Sequence, residues 1–147
     1  MNQTTGQNQP RDAKEKWLVF ISHSATDTWL AKRIAEQIET HGAQTFLDEA
    51  HLSVGEDFEE RILEALDRAN ELLVIVTPWS LKRPFVWSEV GAAWLKRIPI
   101  IAVLHGLTPK KVQTHPSIPV FFKRREFIDI NQLDKYLSEL QERVRGR

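Results

Sequence analysis

The chain has no cysteine, only six glycines and no net charge, and each shortage removes a class of protein. Without cysteine there is no disulfide scaffold, no thiolate ligand for zinc and no thiol nucleophile. That composition suits a reducing compartment, and we expect a cytoplasmic location. The glycines stand at 6, 42, 55, 91, 106 and 146, so neither a GxGxxG turn nor a GxxxxGK[ST] phosphate cradle can be written. Lysine plus arginine and aspartate plus glutamate number 20 each, which leaves no global field to recruit nucleic acid or an anionic membrane, and we expect neither partner. No apolar run approaches the ~20 residues of a membrane span, and the opening MNQTTGQNQPRDAKEK has no signal-peptide core.

What is present is enough for one domain. A chain of 147 residues can bury roughly two thirds of the surface its unfolded form exposes. Residues 1–16 are polar and read as a flexible leader, and residues 17–147 as the domain. Within it, apolar runs of strand length alternate with segments of helical period. WLVFI (17–21) is a first strand, followed by a helix with Leu30, Ile34 and Ile38 on one face, Ser24 placed to cap it and Gly42 to end it. AQTFLD (43–48) is a second strand. Beyond the polar EAHLSVGED comes a helix with Phe58, Ile62 and Leu66 inward. ELLVIVT (71–77), IPIIAVL (98–104) and EFIDI (126–130) are three more strands, the fourth with Pro99 near its start, where a missing donor matters least. Thr108-Pro109 starts a short helix in an otherwise irregular segment, and a last helix carries Leu133, Leu137, Leu140 and Val144.

Strands separated by helical crossovers pair in parallel. We therefore expect an α/β, flavodoxin-like three-layer sandwich with a five-stranded parallel sheet in the order 2-1-3-4-5, its ligand at the carboxyl ends of the strands. The loops after Ile21, Asp48 and Thr77 face that end. The first of them, SHSATD, lacks the acidic pair with which a receiver domain holds magnesium. Nor is there a G-x-S-x-G elbow to make Ser22 or Ser24 a nucleophile. The five histidines, at 23, 41, 51, 105 and 115, show no metal-ligand spacing, and no metal site is expected.

One acid stands out. In TPWSLKRPFVWSEVGAAW (77–94), Glu89 is the only carboxylate among three tryptophans, a phenylalanine and small residues. With Pro84 as the first helical residue, Phe85 and Glu89 share a face, while Val86, Val90 and Ala93 turn toward the sheet. The acid then lies near a helix start, where the dipole favours an anion, and beside the expected cleft. By itself the pattern also fits an ordinary first-turn glutamate.

FISHSATD (20–27), LDEAHLSVGEDF (47–58) and LLVIVTPWSLKRPFVWSE (72–89) resemble, in order and spacing, the three boxes of a Toll/interleukin-1 receptor (TIR) domain of the prokaryotic, NAD-cleaving type. The resemblance covers the chain from Trp17 to the last helix. It implies that Glu89, closing a pattern written W-x-x-x-E in the family but F-V-W-S-E here, is the catalytic acid of an NAD+ glycohydrolase. NAD+ would be the substrate, with no cofactor. It further implies substrate contacts from Phe85, Ser22, His23, Ser24, Asp48, Trp79 and Ser80. The second-box loop, with His51, Leu52, Val54 and Gly55, would serve self-association or contact with other TIR domains. The implied setting is antiviral defence or depletion of host NAD. The alternative is a signalling TIR module that binds its like without catalysis, a reading that Phe85 in place of tryptophan favours slightly and Glu89 opposes.

Overall fold

The computed structural model describes residues 16–48 and 57–146. The leader through residue 15 and the second-box loop, residues 49–56, lie outside the described residues. Five strands, β1 (Leu18–Ser22), β2 (Gln44–Leu47), β3 (Glu71–Val76), β4 (Ile100–Leu104) and β5 (Phe127–Asp129), form one parallel sheet in the order β2-β1-β3-β4-β5. Among the described residues six α-helices connect and cover them: α1 (Thr28–Thr40), α2 (Asp57–Arg68), α3 (Pro84–Leu95), α4 (Pro109–Thr114), α5 (Val120–Lys123) and α6 (Leu133–Arg145). The expected fold and strand order are what the chain adopts.

The sheet is apolar on both faces because successive strand residues point to opposite sides. Leu72, Val74 and Val76 of β3 join Phe20, Ala102 and Leu104 under α2 and α3, while Leu73 and Ile75 join Val19, Ile21 and Val103 under α1 and α6. Every residue of β3 is buried, as its unbroken apolar run required.

Helix ends follow local chemistry, with two departures. Gly42 (φ +100°) ends α1 in the left-handed region, where a Cβ would be strained and would meet Val144 at 3.3 Å. Thr108 caps α4, accepting from the Lys111 amide at 3.3 Å. Ser24 does not cap α1. A 3-10 turn (Ala25–Asp27) comes first, and the Ser24 hydroxyl donates to the Asp27 carboxylate at 2.7 Å. The segment expected to be irregular contains α5, a single turn too short to show a period, which buries Phe122.

Just past the end of α3 stands Arg97, the one non-glycine with positive φ (63°) among the described residues. Its amide donates to the Trp94 carbonyl, and the Ile98 amide to that of Ala93. A side chain in this region costs about 1 kcal/mol. Arg97→Gly is therefore expected to raise the unfolding free energy by up to about 1 kcal/mol, read from urea midpoints at unchanged slope.

The amino end of the sheet carries a buried carboxylate. Glu71, 1 % exposed, opens β3. Its Oε2 accepts from Trp17 Nε1 (2.8 Å) and Arg143 Nε (2.9 Å), and its Oε1 from the Tyr136 hydroxyl (2.8 Å) and Arg143 Nη2 (3.0 Å). Burial, with Glu71 beside it, pushes the Tyr136 phenol above its ordinary value. Both oxygens of Glu71 hold two donors each, so the acid is a structural tie between α6 and the sheet, with no lone pair left for chemistry. A groove of about 540 Å³ opens here, lined in part by Ile101, Ile128, Lys135 and Tyr136. It lies at the opposite end of the strands from Glu89.

Candidate active site

At the carboxyl end of the sheet, three elements bring polar side chains together. The register sets Ser22 at the end of β1 beside Val74 of β3, and Ile21 beside Leu47 of β2. Asp48, one residue past β2, therefore emerges next to Ser22. α3 starts at Pro84, whose fixed φ suits a first helical position. Val86, Val90 and Ala93 are buried on the sheet, as their spacing required. The same packing holds Glu89 over the strand ends, 4 % exposed.

The Ser22 hydroxyl donates to Glu89 Oε1 at 2.5 Å. Oε2 meets no N–H or hydroxyl donor among the described residues. The buried Asp48 carboxyl, 6 % exposed, lies close enough to act on Glu89. Burial, then the hydrogen bond and negative charge of Asp48, push the Glu89 carboxyl up to about 10, with the Ser22 hydroxyl pulling the other way.

A second network ties the neighbouring loops. Asp27, 6 % exposed, accepts from Ser24 (2.7 Å) and from the Thr77 hydroxyl (2.6 Å). Thr77 Oγ1 in turn accepts from the amides of Trp79 (3.2 Å) and Ser80 (3.1 Å). The Ser80 hydroxyl accepts from the Thr77 amide at 2.8 Å and donates to the Thr77 carbonyl at 3.3 Å. Asp27 thus joins the loop after β1 to the loop leading into α3.

Of the residues singled out from sequence, Ser22, Asp48 and Glu89 converge. His23 and Ser24 are buried at 6 % and 2 % beside them, the Ser24 proton being committed to Asp27. Ser80 is fully buried, with its hydroxyl engaged inside its own loop. Trp79 and Phe85 are half-exposed, at 49 % and 46 %, on the loop before α3 and in its first turn. Trp87 packs edge-on against Phe122, centroids 5.0 Å apart, and so belongs to the core. His51, Leu52, Val54 and Gly55 lie outside the described residues. The bridging role of Asp27 and the placement of Asp48 close to Glu89 were not foreseen. The strand order was the available signal, since 2-1-3 sets the ends of β2 and β3 on either side of Ser22.

A doubly wound parallel sheet with two buried carboxyls at its carboxyl end defines a small α/β domain of the flavodoxin-like class. The match to known families is specific: the family described as TIR_2, TIR domain, covers residues 19–144. The chain belongs to the TIR domain family. It is 26 % identical over 112 residues, 73 % of its length, to the NAD(+) hydrolase TcpA of Theionarchaea archaeon (strain DG-70-1). It is also 26 % identical over 106 residues, 71 % of its length, to the 2' cyclic ADP-D-ribose synthase BtTIR of Bacteroides thetaiotaomicron. The chain spans about a third of those two relatives, 34 % and 32 %. Among solved structures it is similar to the TIR domain of the Toll-related receptor TRR-2 of Hydra magnipapillata. That match has a TM-score of 0.65 at 19 % identity, over 86 % of this chain and 97 % of that one. Among the described residues no helix is long and apolar enough to cross a membrane.

Proposed function

We propose that this domain cleaves NAD+ at the nicotinamide–ribose bond, with Glu89 as the catalytic acid side chain, giving nicotinamide and ADP-ribose or a cyclised isomer. The observation that carries the reading is Glu89 itself: a buried carboxyl at the ligand end of the sheet, held by the Ser22 hydroxyl, with no lysine or arginine bonded to it among the described residues. A structural acid would be expected to look like Glu71, with every lone pair satisfied. The names of the two relatives support the substrate.

The chemistry suits one carboxylate. As the C1′–N bond breaks, its electron pair leaves with nicotinamide, which departs neutral, and positive charge builds on the ribose ring. An anion held against that ring stabilises the charge without reorganising water. Water then attacks C1′, its proton going to solvent, or a nitrogen of the same nucleotide closes a ring. Ser22 favours the ionised form of Glu89. Phe85 and Trp79 offer apolar surface to the base or ribose, and His23, Ser24 and Ser80 shape the adjoining loops. The second-box loop would bring a neighbouring protomer, so that assembly activates the site, in a setting of antiviral defence or host NAD depletion. No cofactor or metal is needed.

Concentrated protein incubated with NAD+ should release nicotinamide, followed by chromatography. No release even from clustered protein would favour a TIR–TIR interaction module without catalysis. Ser22→Ala is expected to lower kcat about ten- to a hundredfold, because an ionised carboxylate loses a charge-assisted bond of about 1.5–3 kcal/mol. Unchanged kcat would remove Ser22 from the mechanism.

A further inference from the structure

We infer that Asp27 is a positioning residue for the cleft. One of its oxygens ties the loop after β1 to the loop leading into α3, and so sets the wall on which the nucleotide rests, while the chemistry stays with Ser22 and Glu89. The inference rests on the NAD+ reading for its ligand and on hydrogen-bond geometry for the tie.

Two donors from distant parts of the chain meet on the same atom. Asp27 Oδ2 accepts from the Ser24 hydroxyl at 2.7 Å and from the hydroxyl of Thr77, 50 residues further on, at 2.6 Å. Ser24, Asp27, Thr77 and Ser80 are all buried, so water does not compete for these bonds, and a group that lost its partner would bear its full desolvation cost. The Asp27 end is fixed from two sides. Its amide donates to the Ser24 carbonyl at 2.9 Å, and α1, which it precedes, packs Ala31, Ile34 and Ile38 on the sheet.

The Thr77 hydroxyl transmits the tie. Its proton goes to Asp27, which turns its lone pairs toward the amides of Trp79 at 3.2 Å and Ser80 at 3.1 Å. Without the Asp27 oxygen that hydroxyl has no fixed direction, and the two amides lose a steady acceptor. The loop also has bonds of its own. The Ser80 hydroxyl spans the Thr77 amide and carbonyl, the Leu81 amide donates to the Thr77 carbonyl at 3.1 Å, and the Leu81 side chain is buried in the core. Asp27 is therefore not what folds this loop. It sets where the folded loop stands against the one after β1.

The reacting pair is held separately. Ser22 ends β1, Glu89 rides on α3 through Val86 and Val90, and the two are bonded to each other. Among the described residues neither is bonded to Asp27. What depends on the tie is the segment from Trp79 to Phe85, whose half-exposed rings offer the nucleotide its apolar wall. Loosening that wall weakens ground-state and transition-state binding alike, which raises KM and spares kcat.

The test compares nicotinamide release from NAD+ by wild type, Asp27→Ala, Asp27→Asn and Thr77→Val. Asp27→Ala should raise KM about tenfold, the worth of one buried hydrogen bond, and leave kcat within about threefold. Thr77→Val, which keeps the side-chain shape and removes the hydroxyl, should do the same and carries the test should Asp27→Ala fail to fold. Asp27→Asn keeps an oxygen that accepts from both hydroxyls, and should bring KM back to within about threefold of wild type. A second arm needs no substrate: in Asp27→Ala or Thr77→Val the Trp79 and Ser80 amides should lose about tenfold or more of their protection from hydrogen exchange, while the β3 amides keep theirs. Folded variants with an unmoved KM, or with a lowered kcat at unmoved KM, overturn the positioning role. Unchanged protection at Trp79 and Ser80 overturns the tie itself. If wild type releases no nicotinamide but the exchange results are as described, the NAD+ reading fails and the tie between the loops stands.

Discussion

Glu89→Gln is expected to abolish nicotinamide release, with a loss of at least a thousandfold, while making the protein more stable at neutral and alkaline pH. The two effects have one cause. Glutamine places an amide N–H where the protonated acid has its O–H and keeps an oxygen to accept from Ser22, so it reproduces the neutral carboxyl. It cannot become the anion that stabilises a cationic ribose, a contribution worth about 4 kcal/mol or more for a central electrostatic group. The stability gain follows from linkage. In the fold Glu89 keeps its proton up to about pH 10, whereas the unfolded chain releases it near 4.5. Between those values the native state binds more protons than the unfolded one, so stability falls as pH rises, and is full only below about 4.5. Removing the titration should therefore stabilise the domain by up to about 5 kcal/mol at pH 8, about 10–20 °C in Tm, and by almost nothing at pH 4.5. Thermal melts at both pH values check it. A variant less stable than wild type at pH 8 would show that Glu89 is ionised and satisfied in the fold.

Glu71→Ala is the second large effect, and it is structural. The substitution leaves the Tyr136 hydroxyl, Trp17 Nε1 and two nitrogens of Arg143 without their shared acceptor. Removing one member of a buried ion pair typically costs about 3–5 kcal/mol, because the other charge and its donors remain desolvated. Much of a small domain's stability would go. Arg143 is partly solvated, with its side chain 36 % exposed, so Arg143→Ala should cost less. Urea titration of both variants gives the ranking. Any nicotinamide release by folded protein should keep its KM, since this cluster lies at the far end of the strands from Glu89.

How much of this was legible in the chain depended on the range of the interaction. The run LLVIV declares a strand buried on both sides, and Pro84 with Val86, Val90 and Ala93 declares a helix packed on it, because both patterns are local. Strand order followed from crossover chemistry, and with it the position of Glu89. Side-chain commitments were harder to read. Ser24 fits a cap, yet its hydroxyl goes to Asp27, three residues on, which in turn holds Thr77, fifty residues away. Glu71 opens a strand like any edge residue until α6, over sixty residues later, brings Tyr136 and Arg143 onto it. Trp87 and Trp79 look alike in sequence, but Trp87 faces Phe122 and Trp79 faces solvent. Pairings across the sheet follow from register, which a single sequence specifies only through its fold.

The most direct measurement is a structure of the domain with a carbocyclic NAD+ analogue bound, which keeps the pyridinium but cannot be cleaved. The account predicts the ribose C1′ within about 3–4 Å of the Glu89 carboxylate, with Ser22 still donating to it. A nucleotide seated elsewhere, with Glu89 beneath an empty cleft, would contradict it.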